Sequence, residues 1–186
     1  MLRHASFADM LLIAAAGFAQ DPLATFNAHF VDRTLRVDYL HVGNATEEIF
    51  TLDRLVEQGV WAGSRVHLLD EFNLGRCYAR VYDAASGELL FSRGFDTYFG
   101  EYQTTAVAGK GVRRAYHESV LIPFPKHKVR FALELRGADR KLKEVWSTDI
   151  DPGSWEIVRE RPDPSVLVIP SHVSGDVHAK VDVAIL

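Results

Sequence analysis

The sequence predicts a mainly β fold, an antiparallel β-sandwich with one or two short helices. Several segments alternate apolar and polar side chains with the period of a strand that is buried on one face. Short polar turns join these segments, as in antiparallel sheets with one solvated face each. The 186 residues are 47% hydrophobic and 25% charged, which is typical of a globular domain with flanking pieces.

The first 19 residues differ from the rest and predict a signal peptide. Arg3 precedes a short apolar run over residues 10–19, and this run ends on small residues that suit cleavage after Ala19. Asp9 is unusual beside such a run, so a buried N-terminal helix is the alternative. A signal peptide would make this a secreted or periplasmic protein.

The first elements after the leader are a strand and a helix. Leu35, Val37 and Tyr39 alternate with charged residues, which predicts a half-buried strand. Thr51 is then a candidate N-cap, and the apolar residues that follow it share one side of a helix: Leu52, Leu55 and Val56. We therefore expect a short helix over residues 51–58.

The middle of the chain predicts a β-hairpin. Cys77, Ala79 and Val81 share one face of its first strand, residues 83–87 form the turn, and residues 88–94 form the return strand. Cys77 is the only cysteine, so no disulfide can form within the chain. Its place on an apolar face favours a buried thiol over a nucleophile.

A second hairpin follows, and its first strand has the clearest alternation of the chain. The apolar positions between residues 128 and 136 are Val129, Phe131, Leu133 and Leu135, with charged residues at most positions between them. A polar turn at residues 137–141 leads into a return strand over residues 142–148.

A linker and the start of another domain are expected after the sandwich, which we assign to residues 20–160. Prolines disfavour helix in the linker, residues 161–175, although residues 166–169 are apolar enough for a short strand. Residues 176–186 end in a nearly continuous apolar run, which is typical of a strand buried on both faces. We expect this segment to be the first strand of a truncated α/β domain.

Composition argues against two classes of partner. The net charge of −4 provides no basic surface for nucleic acid. No stretch approaches the roughly 20 apolar residues of a membrane span. The glycine-rich loops that hold nucleotide phosphates are also missing from the sequence.

The sequence carries no complete catalytic motif. Residues 117–121 begin like the zinc-binding motif His-Glu-x-x-His, but Leu121 stands where the second histidine is required, so we interpret the segment as a strand. Ser119 lacks the Gly-x-Ser-x-Gly context of a nucleophile. The eight histidines show no metal-ligand spacing. Three or more imidazoles and carboxylates brought around a vacant position by distant strands would contradict a non-catalytic role.

The densest polar and aromatic patch runs over residues 93–102. Aromatic rings beside acids and glycines are suited to lining a groove for sugar or peptide. The residues that we assign to this candidate ligand groove are Phe95, Asp96, Tyr98, Glu101 and Tyr102. The alternative is a loop that folds over the end of the sandwich and buries Phe95 and Phe99.

Eight blocks of the sequence, in order, resemble the N-terminal domain of the M64 peptidases, bacterial zinc metallopeptidases of the IgA-peptidase type. The blocks are residues 30–41, 61–65 (WAGSR), 70–75 (DEFNLG), 78–83, 92–95 (SRGF), 98–105 (YFGEYQTT), 116–119 (YHES) and 123–126 (PFPK). The likeness extends from residue 26 to residue 160.

The resemblance implies a β-sandwich placed ahead of a zinc-dependent catalytic domain in secreted bacterial enzymes, some of which act on immunoglobulin A. Residues 176–186 resemble the first strand of that truncated catalytic domain. The family's His-Glu-x-x-His helix lies downstream of the part represented here, so the resemblance places zinc in the missing catalytic domain and transfers no catalytic or metal-binding residue to this chain. We expect a non-catalytic accessory domain that supports the catalytic domain or positions protein substrate, and no hydrolysis by this chain alone. The alternatives are a free-standing secreted module that binds glycan or protein, and a prodomain that covers the active site.

Overall fold

A computed structural model describes residues 21–161, 163–167, 169, 172, 174–176 and 178. The predicted signal peptide and the apolar run over residues 181–186 lie outside the described residues. None of the helices described is long and apolar enough to cross a membrane.

Within the described part of the chain, eight strands and three short helices follow one another. The strands are β1 (Phe30–Gly43), β2 (Glu48–Gln58), β3 (Cys77–Asp83), β4 (Leu89–Phe95), β5 (Arg114–Pro125), β6 (Val129–Arg136), β7 (Leu142–Ile150) and β8 (Ile157–Arg159). The helices are α1 (Ala24–His29), α2 (Tyr98–Gln103) and α3 (Ala106–Gly109).

The strands form two four-stranded sheets, which confirms the predicted β-sandwich. The first sheet has the order β5-β1-β2-β8, in which only the short β8 pairs parallel with its neighbour. The second has the order β4-β3-β6-β7 and is antiparallel throughout. Both predicted hairpins are confirmed, since β3 pairs with β4 and β6 pairs with β7.

The predicted helix over residues 51–58 is wrong, because these residues belong to β2. Asp38 of β1 pairs with Arg54, while the next residue, Tyr39, pairs with Leu52, so Asp53 is an extra residue in β2. Such a bulge interrupts the two-residue alternation of side chains. Leu55 and Val56 follow the bulge in regular register and point to opposite faces of the sheet, yet both are buried. Their adjacent apolar positions in the sequence resemble those of a helix.

The core lies between the two sheets. Leu35, Val37 and Tyr39 of β1 face Val81 of β3 and Phe131 of β6 within one cluster of buried side chains. The alternation that predicted these strands therefore points into this cluster. Cys77 is buried as predicted.

The segment after β8 differs from its prediction. Of the apolar strand expected over residues 166–169, the structure describes Val166, Leu167 and Ile169, which are exposed and lie outside any strand. Among the described residues, these three have no partner strand, so an extended backbone there would form no sheet hydrogen bonds. Further along, His178 contacts the sandwich again through Asp32.

Candidate functional site

A cleft of about 770 Å³ opens beside β4, which is the edge strand of the second sheet. Residues 59–76, the connection from β2 to β3, form its other wall and are called the cleft loop below. Trp61 and Phe91 are buried at the cleft, with their rings packed edge to face at 5.8 Å between centroids. Phe72 and Leu74 line it as well, with 83% and 69% of their surfaces exposed.

The cleft loop is held in place by the carboxylate of Asp70. One oxygen of Asp70 accepts hydrogen bonds from the backbone N–H groups of Phe72 (2.8 Å) and Asn73 (3.3 Å). The other oxygen accepts from the N–H of Gly94 in β4, also at 2.8 Å. Burial by itself would raise the pKa of Asp70, but the donors at Gly94 and Phe72 outweigh it and the pKa is lowered.

The same loop covers the outer edge of β4. The backbone N–H of Ser92 donates to the carbonyl of Leu68 at 3.0 Å, and the N–H of Gly94 is taken by Asp70. The Ser92 hydroxyl accepts from the N–H of Asp70 at 2.9 Å. Because these edge donors are used within the chain, the cleft does not offer them to an added strand.

A second clamp comes from Arg136 at the end of β6. Its guanidinium donates to the carbonyl of Gly75 at 3.0 Å, and to the carbonyl and side-chain oxygens of Asn73 at 3.1 and 2.8 Å. It also lies 5.5 Å from the ring centroid of Tyr78. The loop that carries Phe72 and Leu74 is thus fastened to both β4 and β6.

The five residues predicted to form a ligand groove do not share one surface. Phe95 and Asp96 line the cleft, and the Asp96 carboxylate accepts from the backbone N–H of Arg76 at 2.8 Å. Tyr98 and Glu101 lie on α2, where Tyr98 is 70% exposed and Glu101 is also exposed.

The fifth residue, Tyr102, is buried. Its hydroxyl donates to the carbonyl of Val112 at 2.6 Å, and its ring packs against Phe99 and Tyr116. Phe99 is fully buried, as the alternative interpretation of this segment expected, although the segment forms a short helix rather than a loop. Sequence reasoning missed Asp70, Phe72 and Leu74; two large apolar residues inside a polar turn were the signal for them.

Beneath α2 lies a buried ionic cluster centred on His41. Its Nδ1 is 3.1 Å from a carboxylate oxygen of Glu118, and its Nε2 is 3.0 Å from one of Glu48. The imidazole is fully buried and stacks on Phe99 at 3.8 Å between centroids. An ionised carboxylate only accepts hydrogen bonds, so with both acids ionised both ring nitrogens must donate and His41 is an imidazolium.

The pKa values agree with this assignment. Burial alone would lower the pKa of His41, but the carboxylates of Glu118 and Glu48 raise it above the ordinary 6.5. Burial likewise opposes ionisation of Glu48, yet hydrogen bonds from His41 and Arg76 lower its pKa to about 2. The cluster joins three strands of the first sheet to the residue before β3. No local spacing could have revealed it, because the acids are 7 and 77 residues from His41.

A third group collects two carboxylates and an imidazole on the outer face of the first sheet. Potential ligand atoms of Asp38, Asp53 and His117 lie within 4.8 Å of one another. However, the Nε of Arg54 is 3.3 Å from an oxygen of each aspartate. Arg36 donates two further hydrogen bonds to Asp38, at 2.8 and 3.1 Å. Guanidinium groups thus already neutralise the acids.

This third group does not fit a catalytic zinc. Such a site needs three protein ligands that are free to bind and an open position for water. Here Arg54 contacts both acids, and Asp53 is 3.0 Å from the Nε2 of His117. The position between these three side chains is therefore not vacant, and the group does not contradict a non-catalytic role.

The comparison with known proteins agrees with the resemblance seen in the sequence. Residues 25–147 match the family described as Peptidase M64 N-terminus. No curated protein matches the chain. The matched residues reach from α1 into β7 and include the cleft and the His41 cluster. A peptidase N-terminal domain of this family is an accessory domain and implies a companion catalytic domain. Because the match covers about two thirds of the chain, this protein belongs to the Peptidase M64 N-terminus family.

Proposed function

We propose that this chain is the non-catalytic N-terminal domain of a secreted bacterial zinc metallopeptidase, and that it supports the catalytic domain or positions protein substrate. The observation that carries the proposal is the family match over residues 25–147. It covers the strands that build both sheets, apart from the end of β7 and the short β8.

The chemistry of the side chains supports a non-catalytic role. Zinc-dependent hydrolysis needs a bound metal that lowers the pKa of its water to about 7 and a nearby general base. In the described part of this chain, Asp38 and Asp53 are paired with Arg36 and Arg54 instead. We therefore assign the zinc to the companion domain and no catalytic step to this chain.

Zinc analysis and a peptidase assay on the purified chain test this assignment. We expect no stoichiometric zinc after dialysis and no hydrolysis of a protein substrate. The matched variant is His117→Ala, which removes the only imidazole of the third group. One zinc per chain in the wild type that is lost in His117→Ala would contradict the proposal.

Export is tested separately by expressing the full chain in a bacterial host with an intact secretion system. We expect a periplasmic or external product whose mass corresponds to a chain that begins at Gln20. Leu12→Arg places a charge in the apolar run and should keep the protein in the cytoplasm. An unprocessed cytoplasmic product from the wild-type sequence would remove secretion from the proposal.

A further inference from the structure

We propose that the cleft beside β4, with Phe72 and Leu74 at its rim, is the surface on which the companion catalytic domain packs. The inference rests on the proposed function, because it takes that domain as the partner. It adds the location of the interface and the side chains that form its centre.

Exposed apolar side chains are concentrated at the cleft. Leu69, Phe72 and Leu74 all expose at least 46% of their surfaces within six consecutive residues, and all three line the cleft. Single exposed apolar residues are ordinary, but a contiguous patch next to a concave surface is typical of an interaction site.

The loop that presents these side chains is held in place by hydrogen bonds. The Asp70 carboxylate accepts hydrogen bonds from the backbone N–H groups of Phe72, Asn73 and Gly94. The Arg136 guanidinium donates to the carbonyl groups of Asn73 and Gly75. A loop fixed in this way loses little conformational entropy when a partner covers it. Exposed apolar groups on such a loop are ready for association.

The chain at His178 lies close to the cleft. The Nε2 of His178 is 3.0 Å from a carboxylate oxygen of Asp32, which is also 3.7 Å from Arg65. Arg65 lies between Ser64 and His67, and both of these residues line the cleft. The polypeptide that continues beyond His178 therefore begins next to the cleft, and a domain attached there has a high effective concentration for this surface.

The blocked edge of β4 decides how the partner binds. The N–H groups of Ser92 and Gly94 are already used by the cleft loop, so the partner cannot extend the sheet there by adding a strand. A peptide substrate bound by strand addition is disfavoured at the same place for the same reason. The partner therefore binds by packing its side chains against Phe72 and Leu74.

Side-chain footprinting tests the proposal on the intact polypeptide, expressed from its complete reading frame, and on the 186-residue chain. Hydroxyl radicals should modify Phe72 and Leu74 readily in the short chain and severalfold less in the intact protein. Trp155, which is 89% exposed and does not line the cleft, is the internal control and should react equally in both. Equal modification of Phe72 and Leu74 in the two proteins would overturn the inference.

A variant pair in the intact protein tests the energetic coupling. Phe72→Asp combined with Leu74→Asp should separate the thermal unfolding of the two domains, whereas Trp155→Asp should leave it unchanged. The double variant of the 186-residue chain should keep its melting temperature, since both side chains are exposed. Unchanged coupling in the double variant would count against the interface.

Two other outcomes are distinguishable from these. If Phe72 and Leu74 are modified in the intact protein but become protected when an unfolded protein substrate is added, the cleft binds substrate and the inference is wrong. If the reading frame encodes no domain with a His-Glu-x-x-His motif, the proposed function itself fails, and the inference fails with it.

Discussion

At the scale of single residues, His41 makes the stability of the domain depend on pH. Its pKa is raised in the folded state above the ordinary 6.5 by Glu118 and Glu48. A raised pKa means that the ionic contribution of His41 is fully present below pH 6.5 and is lost as the pH rises through the folded-state value. The opposite sign holds for Glu48, whose contribution is present above pH 4.5 and is lost as the pH falls toward about 2.

Replacing His41 with Gln should therefore destabilise the domain strongly and in a pH-dependent way. We expect a loss of about 3 kcal/mol near pH 6, since two partly buried carboxylates lose their shared cation. Urea unfolding of both proteins between pH 5 and pH 9 measures the difference, which should shrink with rising pH. The matched control is His117→Gln on the exposed face, for which we expect less than about 0.5 kcal/mol. A pH-independent difference for His41→Gln would contradict the imidazolium assignment.

Cys77 should be chemically inert in the folded protein. Burial raises the pKa of its thiol to about 12, and the thiolate is the reactive species. At pH 8, a thiol reagent such as dithionitrobenzoate should release no colour from the native chain and one equivalent after unfolding in denaturant. Full reaction under native conditions would mean that the β3 face of the core opens to solvent.

At the scale of elements, the cleft loop depends on a glycine in β4. A Cβ atom at Gly94 would lie 2.1 Å from the backbone oxygen of Leu74, which cannot move without releasing the loop. We expect Gly94→Ala to cost about 1–3 kcal/mol, as for other overpacked sites. Thermal unfolding measures the loss. Gly100 in α2 has nothing within 4 Å of its Cβ position, so Gly100→Ala should stabilise by about 0.5–1 kcal/mol. Equal effects of the two variants would contradict this account.

The strand β2 shows why one element was predicted wrongly. Predicting a strand from the alternation of its side chains assumes that each residue has one partner on the next strand. Asp53 has none in the pairing of β1 with β2. The extra residue changes which faces are buried on either side of it. The strand β6 was predicted correctly over Phe131 and Leu133, because the register shift in its pairing with β7 places the extra residue, Val145, in β7.

At the scale of the whole molecule, the two sheets share one core and should unfold together. Phe131 is fully buried between the sheets and packs edge to face against Trp146. We expect Phe131→Ala to cost about 3–5 kcal/mol and to shift the far-ultraviolet dichroism and tryptophan fluorescence transitions equally. Trp155→Ala, at an exposed position, is the control and should change stability by less than about 0.5 kcal/mol. Two separated transitions would show that the sheets are independent units.

The amino-acid sequence by itself determined the sandwich, both hairpins, the buried thiol and the family. These depend on alternation along single strands, on turn residues and on ordered sequence blocks, and all of them are local properties of the chain. Only the tertiary structure decided the bulge at Asp53, the burial of Tyr102, the ion pairs of Asp38 with two arginines, and the His41 cluster. The bulge, the contact of Arg54 with Asp38 and the contact of His41 with Glu118 join groups that meet only when strands pair, so no local pattern records them.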